Sequence, residues 1–327
     1  MKLKLTSLLK TCALALACHA LATPAALAQT WPAKSVRIIV PYGTGGGADI
    51  LARQLGASLQ QSWGQGVAVE NRTGASGNIG SEVVVNSPAD GYTLLLQNST
   101  MVVNMGLGMK LNYDPEKDLT PIMLLGITPI ALVAHPSLNV KNLKELQDYA
   151  KANPGKLSYG SCGVGTPMHF VMELVKQKTS LDAVHAGYKG CAPVVPDVVG
   201  GQIPLAILSA NLAAPYAKSG RLNVIGVASQ KRYSLLPDTL TFEEQGLKPL
   251  DFSTWFALMG PAKMPPAVVS KIVADVQKVL ADPAVQSRLS NAGVEPYAGN
   301  GAAVVKLIRS DKIRYEQLAK AANIKPE

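Results

Sequence analysis

Short β-rich runs alternate with helical patterns along almost the whole chain, and the strand-to-helix junctions are built from Gly, Ser, Thr and Asn. Such alternation marks βαβ units, whose strands pair in parallel and are covered by the helices connecting them. Ser35–Val40 reads as a buried strand, followed by a Gly-rich turn and a helix over Asp49–Trp63. Gly66–Glu70 is a second strand, Asn78–Asn86 a helix, and Tyr92–Gln97 a third strand. Beyond Leu119 an apolar stretch runs to His135, then a helix over Leu143–Ala152, a strand at Leu157–Gly160 and a helix from Thr166. Ala183–Tyr188 and Pro204–Ser209 are strands separated by a helix starting near Ala192. The C-terminal third changes character. Ser253–Met259 reads as a strand, and Lys263-Met264-Pro265-Pro266 introduces a long helix with Val268, Ile272, Val276, Val279 and Leu280 on one face. Helical segments follow around Pro283–Ala292 and Ala302–Ala322. No repeat and no long linker separates independent domains. The expectation is an α/β protein of two lobes, the chain crossing between them near Ile127–Ile130 and again near Leu250–Thr254.

Met1–Ala28 has the pattern of a secretory leader: Lys2, Lys4 and Lys10, an apolar run over Leu14–Leu21, and Ala26-Leu27-Ala28 before Gln29. The run is too short to span a bilayer. A lipid anchor at Cys18 is the rival reading, but Ala15-Leu16-Ala17 lacks the large aliphatic residue usual three places upstream. The expectation is a soluble, exported, periplasmic protein cleaved after Ala28. An apolar fraction of 47% against 16% charged supports a large core. The formal net charge is +9, of which three lysines leave with the leader. The remaining basic residues are scattered without aromatic interleaving, which excludes a nucleic-acid groove; a mild positive potential suits small anions.

Three junctions carry the chemistry. Pro41-Tyr42-Gly43-Thr44-Gly45-Gly46-Gly47-Ala48-Asp49 lies between a strand and a helix, where glycines let the backbone approach a ligand and the helix start presents unpaired N–H groups to an anion. The spacing is neither GxGxxG nor a P-loop, so no nucleotide and no other cofactor is expected. The ordinary alternative is a βα turn with Asp49 as helix cap. Ser158–His169 repeats the logic, with Thr166 as cap and Pro167 at the first helical position. His185–Pro193 is the third junction, with Lys189 solvated. Gln97-Asn98-Ser99-Thr100 and Ser209-Ala210-Asn211 add hydrogen-bonding groups without a convincing base or nucleophile. In open α/β sheets such junctions converge where ligands bind. Trp255 either lines the cleft or is a core residue. His135, His169 and His185 are unclustered and no CxxC occurs, so no metal is expected. A thiol–imidazole pair of Cys162 and His169 is the enzymatic alternative, without an identifiable third partner. Cys162 and Cys191 each follow a strand by a few residues, and adjacent strand ends place them within reach of a disulfide. Two buried, unpaired thiols are the bland alternative.

Trp31-Pro32-Ala33-Lys34, Ile39-Val40-Pro41-Tyr42, Gly45-Gly46 with Asp49-Ile50-Leu51-Ala52-Arg53, and Val69-Glu70-Asn71-Arg72 with Gly77-Asn78-Ile79-Gly80 come in a recognisable order. Asp90-Gly91-Tyr92-Thr93-Leu94-Leu95, Tyr113-Asp114-Pro115 with Lys117-Asp118-Leu119, Gly163–Thr166 and Tyr188-Lys189-Gly190 continue it. The whole mature chain resembles the Bug family, periplasmic solute-binding receptors of tripartite tricarboxylate transporters. The resemblance implies a type II periplasmic binding protein: two lobes, each a mainly parallel sheet flanked by helices, with the ligand cleft between them. Its boundaries here are 29–128 plus 252–327 for the first lobe and 129–251 for the second, after the leader 1–28. It implies a receptor that captures a small organic carboxylate, often a dicarboxylate, through backbone amides and water, and delivers it to a membrane permease; a monomer is expected, and an aromatic diacid such as terephthalate, an aliphatic diacid and a tricarboxylate are all consistent with the site. The ligand set it implies is Tyr42, Gly43, Thr44, Gly46, Asn98 and Ser99 in the first lobe. In the second lobe it is Ser161, Gly165, Thr166, His169 and Asn211, with no catalytic residue. Tyr42 stands where the family commonly has Phe, Thr44-Gly45 where it often has Pro-Gly, and Val164 where Asn is frequent. Cys162 and Cys191 replace small residues. A periplasmic Cys/His hydrolase and a carboxylate sensor for a membrane kinase are the competing functions.

Overall fold

The computed structural model describes residues 31–324. The leader, the Cys18 anchor and the cleavage after Ala28 therefore lie outside the described residues. The chain divides into a short unit, Met1–Lys34, and a large one, Ser35–Glu327, which carries the fold.

The large unit opens with β1 (Val36–Val40), α1 (Gly47–Trp63), β2 (Val67–Asn71), α2 (Asn78–Val85) and β3 (Thr93–Asn98). β1 lies between β2 and β3 and is parallel to both, with Val36 opposite Val67 and Arg37 opposite Thr93. Val36, Ile38, Ile39 and Val40 are fully buried, as expected of a parallel strand covered on both faces. After α3 (Thr100–Gly106) comes β4 (Leu119–Ala134), 16 residues long. The middle of the chain forms α4 (Leu143–Ala152), β5 (Ser158–Ser161), α5 (Pro167–Thr179), β6 (Val184–Gly187), α6 (Val194–Val199), β7 (Leu205–Ser209), α7 (Ala210–Lys218) and β8 (Asn223–Ala228). β9 (Ser253–Pro261), α8 (Pro266–Ala281), α9 (Pro283–Asn291), β10 (Glu295–Asn300) and α10 (Gly301–Ala321) complete it.

β4 joins two sheets. From Leu119 to Pro129 it pairs antiparallel with β9, and from Ile130 to Ala134 antiparallel with β7 and β8. The handover falls at Pro129, which has no N–H to give to a ladder. The strand order is β2-β1-β3-β9-β4-β7-β5-β6, with β10 and β8 attached to β4. The runs β2-β1-β3 and β7-β5-β6 are parallel, whereas every pairing made by β4 and β9 is antiparallel. Ile130 to Ala134 are completely buried, and each large apolar side chain removed from water there contributes about 1.5–3 kcal/mol.

The strands and helices read from sequence recur within a residue or two. Four elements were not legible: α3, α7, β8 and β10. β10 contains Pro296 and Gly299, both poor strand formers, and its register shifts between them. α7 carries Pro215 inside the helix. The helix after Pro265 stops where Asp282 begins the next, its side chain accepting from Ala284 N–H at 2.8 Å with Pro283 following.

Candidate functional site

The carboxyl ends of β1 and β3 form the first part of the site. Gly43 through Gly46 are exposed. Gly45 has φ +79°, a conformation that favours glycine, and a Cβ at Gly43 or Gly45 would meet nothing within 4 Å. The cap of α1 is Gly46, which offers no side chain to the helix start. The helix is 17 residues long, and its first N–H groups have no acceptor within the helix. Asp49 is not the cap. It sits in the first turn, accepts from Gly45 N–H at 3.0 Å, and pairs with Arg53 at 2.9 Å and Asn71 Nδ2 at 3.0 Å. Burial alone would raise its carboxyl, but the bonds from Arg53, Gly45 and Asn71 outweigh it and hold the group below the usual range. Arg53 also donates to Asn71 Oδ1 at 3.0 Å, so this guanidinium braces the turn from behind.

Tyr42 donates its phenol to Gln97 Oε1, which also accepts from Asn98 N–H at 2.8 Å. Gln97 Nε2 reaches Ser81 Oγ at 2.8 Å. Burial keeps the Tyr42 phenol protonated by pushing its pKa far up. Asn98 Oδ1 accepts from Thr100 N–H at 2.8 Å, so the group left to Asn98 is its Nδ2 donor. Ser99 is fully buried and its hydroxyl has no hydrogen-bond partner. Gln97 belongs to the junction read from the sequence but not to the ligand set; its role depends on β1 and β3 lying side by side.

In the second sheet, Ser161 ends β5 and is fully buried, its Oγ 2.7 Å from His185 Nε2 and 3.2 Å from both N and O of Gly163. Thr166 caps α5 by accepting from His169 N–H at 3.4 Å and donates to Gly163 O at 2.8 Å. Both hydroxyls thus hold their own turn, leaving the amide of Val164 as its outward chemistry. Gly165 has φ +69°, and a Cβ there would lie 2.7 Å from Leu107. Gly165 N–H reaches His169 Nδ1 at 3.2 Å, which requires the neutral ring with its proton on Nε2. His169 stacks on His185 with centroids 4.0 Å apart, and His185 on Tyr159 at 4.8 Å. His185 lies opposite Tyr159 in the parallel pairing of β5 and β6, a register that the sequence alone did not reveal.

Burial, and next the charge of His185, push His169 down to about 4 from the ordinary 6.5. Between those values the unfolded chain binds a proton that the folded one refuses. The contribution of this residue to stability is intact above about pH 6.5 and is lost progressively as the pH falls toward 4. The melting temperature is expected to drop between pH 7 and pH 4.5, and His169→Gln to flatten that drop. An unchanged acid slope in the variant would contradict this origin.

Cys162 and Cys191 are disulfide-bonded. The bond joins the turn after β5 to the turn after β6, where Tyr188 N–H also bonds Ser161 O at 3.1 Å and Gly190 N–H bonds Cys162 O at 3.0 Å. A bonded Cys162 has no thiolate, so the Cys162–His169 pair lacks a nucleophile. Asn211, in the first turn of α7, gives its Nδ2 to Ala292 O at 3.3 Å. That contact ties α7 to the turn before β10. Trp255 is a core residue, its Nε1 donating to Asp311 at 2.9 Å. Two surface cavities, of about 390 Å³ and about 550 Å³, are lined by none of these candidate residues.

Residues 51–324 match the family model described as tripartite tricarboxylate transporter family receptor. The chain belongs to this receptor family. Among solved structures, the receptor is similar to an R. palustris protein with adipate, at TM-score 0.83 and 30% identity over 91% of this chain and 100% of that one. It is similar to the periplasmic binding protein BugD at TM-score 0.80 and 30% identity, over 91% and 100% of the two chains. MatC from Rhodopseudomonas palustris with bound malate gives TM-score 0.78 and 26% identity, over 88% and 99%. The α/β fold of periplasmic binding proteins, expected from the sequence, is therefore the fold of this receptor. Among its described residues no helix is long and apolar enough to cross a membrane.

Proposed function

We propose that this receptor captures a small organic dicarboxylate in the periplasm and delivers it, chemically unchanged, to a membrane permease. The observation that carries this reading is the uncapped start of α1 beside the open Gly43–Gly46 loop. Helix N-terminal amides and the positive end of the helix dipole neutralise a carboxylate without burying an arginine. Tyr42, Gly43, Thr44, Gly46, Asn98 and Ser99 approach one end of the ligand. Ser161, Gly165, Thr166 and His169 shape the other, and Asn211 closes the site beside Ala292. Relatives with bound adipate and malate support a dicarboxylate. An aromatic diacid such as terephthalate belongs in the same test.

The lobes are 29–128 with 252–327, and 129–251. They close as a monomer about the β4 and β9 crossings, ligand shifting an open–closed equilibrium. The mature receptor begins after Ala28. A thermal-shift screen across carboxylates tests the reading, since a ligand of the native state raises the melting temperature. At least one dicarboxylate is expected to raise it by several degrees, to be recovered unaltered, and to shrink the radius of gyration in solution scattering. A converted product, or no shift with any carboxylate, would overturn it.

A further inference from the structure

β4 hands over from one sheet to the other at Pro129, and β9 runs beside it there, with Thr254 opposite Thr128 and Ser253 opposite Pro129. β10 holds the other edge of β4, with Glu295 opposite Ile127. Continuing that register, Val294 and Gly293 come alongside the crossing itself. The turn between α9 and β10 is thus brought against the hinge on the edge away from β9.

There the turn is held by the hinge strand and by the far lobe together. Gly293 O accepts from Thr128 Oγ1 at 2.9 Å and from the Tyr233 hydroxyl at 2.8 Å, both bonds buried. Ala292 O accepts from Asn211 Nδ2 at 3.3 Å, and Ser234 N–H donates to Glu295 Oε1 at 3.3 Å. Asn211, Tyr233 and Ser234 fall in the segment 129–251, whereas Ala292, Gly293 and Glu295 fall in 252–327. Tyr233 is 1% exposed, and burial pushes its phenol up, so it stays a donor. Gly293 has φ +82°, and a Cβ there would lie 1.9 Å from Asn211 Cβ and 2.6 Å from the Tyr233 oxygen. Only glycine permits this approach.

We infer that the Gly293 carbonyl is a third, non-covalent pivot of the hinge, and that Tyr233 is a positioning residue for lobe closure. This rests on the two-lobe receptor reading above. Two paired strands passing between lobes form a ribbon, and a ribbon twists as readily as it bends. A contact on the free edge of β4 opposes the twist and leaves the bend. Contacts far from a hinge axis part when the lobes turn, but an oxygen beside the crossing strands moves little, so its bonds survive closure. Closure along one path then brings the Gly43–Gly46 loop and the Gly163–Thr166 turn onto the same ligand. Tyr233 acts through the lobes and lies outside the ligand set.

The test is double electron–electron resonance between nitroxides on Gln61→Cys and Lys151→Cys, exposed positions on α1 and α4. The parent is expected to give one narrow distance without ligand and a different one when saturated with adipate or malate. Tyr233→Phe keeps the ring and leaves Gly293 O its bond from Thr128. It is expected to widen the ligand-free distribution about twofold and to weaken binding of the diacid about fivefold, as loss of one hydrogen bond would. Thr128→Val combined with Tyr233→Phe widens the distribution further. Gly293→Ala is expected to displace the mean distance and weaken binding at least about tenfold, because its Cβ wedges the turn away from Asn211. A tyrosine that only packs the core would lower the melting temperature and leave the width unchanged; that result in Tyr233→Phe overturns the pivot. The Tyr233→Phe width decides whether or not Gly293→Ala folds. A parent distance that neither diacid alters contradicts the receptor reading, while the ligand-free widths still test the pivot.

Discussion

Thr44→Asp is expected to weaken dicarboxylate binding at least about 100-fold, roughly 2.7 kcal/mol, with little change in melting temperature. Thr44 is exposed in the loop leading to α1, whose first N–H groups no side chain caps. A carboxylate introduced there is drawn to the same amides, as helix-capping acids are. It would occupy part of the anion site and repel the ligand's own carboxylate at close range. Folding should be spared, because the existing acid of this turn, Asp49, faces Arg53 and Asn71 on the other side. Thr44→Asn is the control: similar in size, uncharged, and expected to cost about fivefold or less. Calorimetry with the diacid giving the largest thermal shift checks both. Equal losses for Asp and Asn would mean that shape rather than charge governs the loop.

Removing the Cys162–Cys191 bond is expected to cost about 3–4 kcal/mol. The two cysteines are 29 residues apart, and closing a loop of that size in the unfolded chain accounts for that magnitude in the chain-entropy view. For a chain of this size the melting temperature should fall by roughly 5–6 °C. Binding should weaken as well, since the bond fastens the Ser161–Gly165 turn to the Tyr188–Gly190 turn, leaving only the backbone bonds of Tyr188 and Gly190. Scanning calorimetry with and without reductant measures the first effect, and titration of Cys162→Ser/Cys191→Ser measures the second. Two thiols alkylated under denaturing conditions without prior reduction would show that the exported protein lacks the bond.

The parts of the fold legible in the sequence were those where one local pattern decided the outcome. β1 is apolar and buried at every position but Arg37, and α8 shows Ile272, Val276, Val279 and Leu280 on one buried stripe. β10 hid behind Pro296 and Gly299, tolerated because this strand pairs only with β4 and shifts register between them. The glycine-rich junctions of the site were equally visible, since each lies within one stretch of chain. What escaped were roles created by pairing between distant segments. Gln97 matters because β3 lies beside β1, bringing its amide to Tyr42. His185 matters because it is in register with Tyr159 and reaches Ser161. Conversely, the hydroxyl of Thr166 looked like a ligand donor, yet it is bonded to Gly163 O.

The most direct test of carboxylate capture between the two glycine-rich turns is an amide NMR titration of the mature receptor with its best diacid. The expected result is large, saturating shifts of Gly46, Gly47 and Ala48 together with Val164 and Gly165, both sets following one binding isotherm. Shifts confined elsewhere, such as the surface cavity beside Lys141 and Lys218, with both turns unmoved at saturation, would contradict capture at this site.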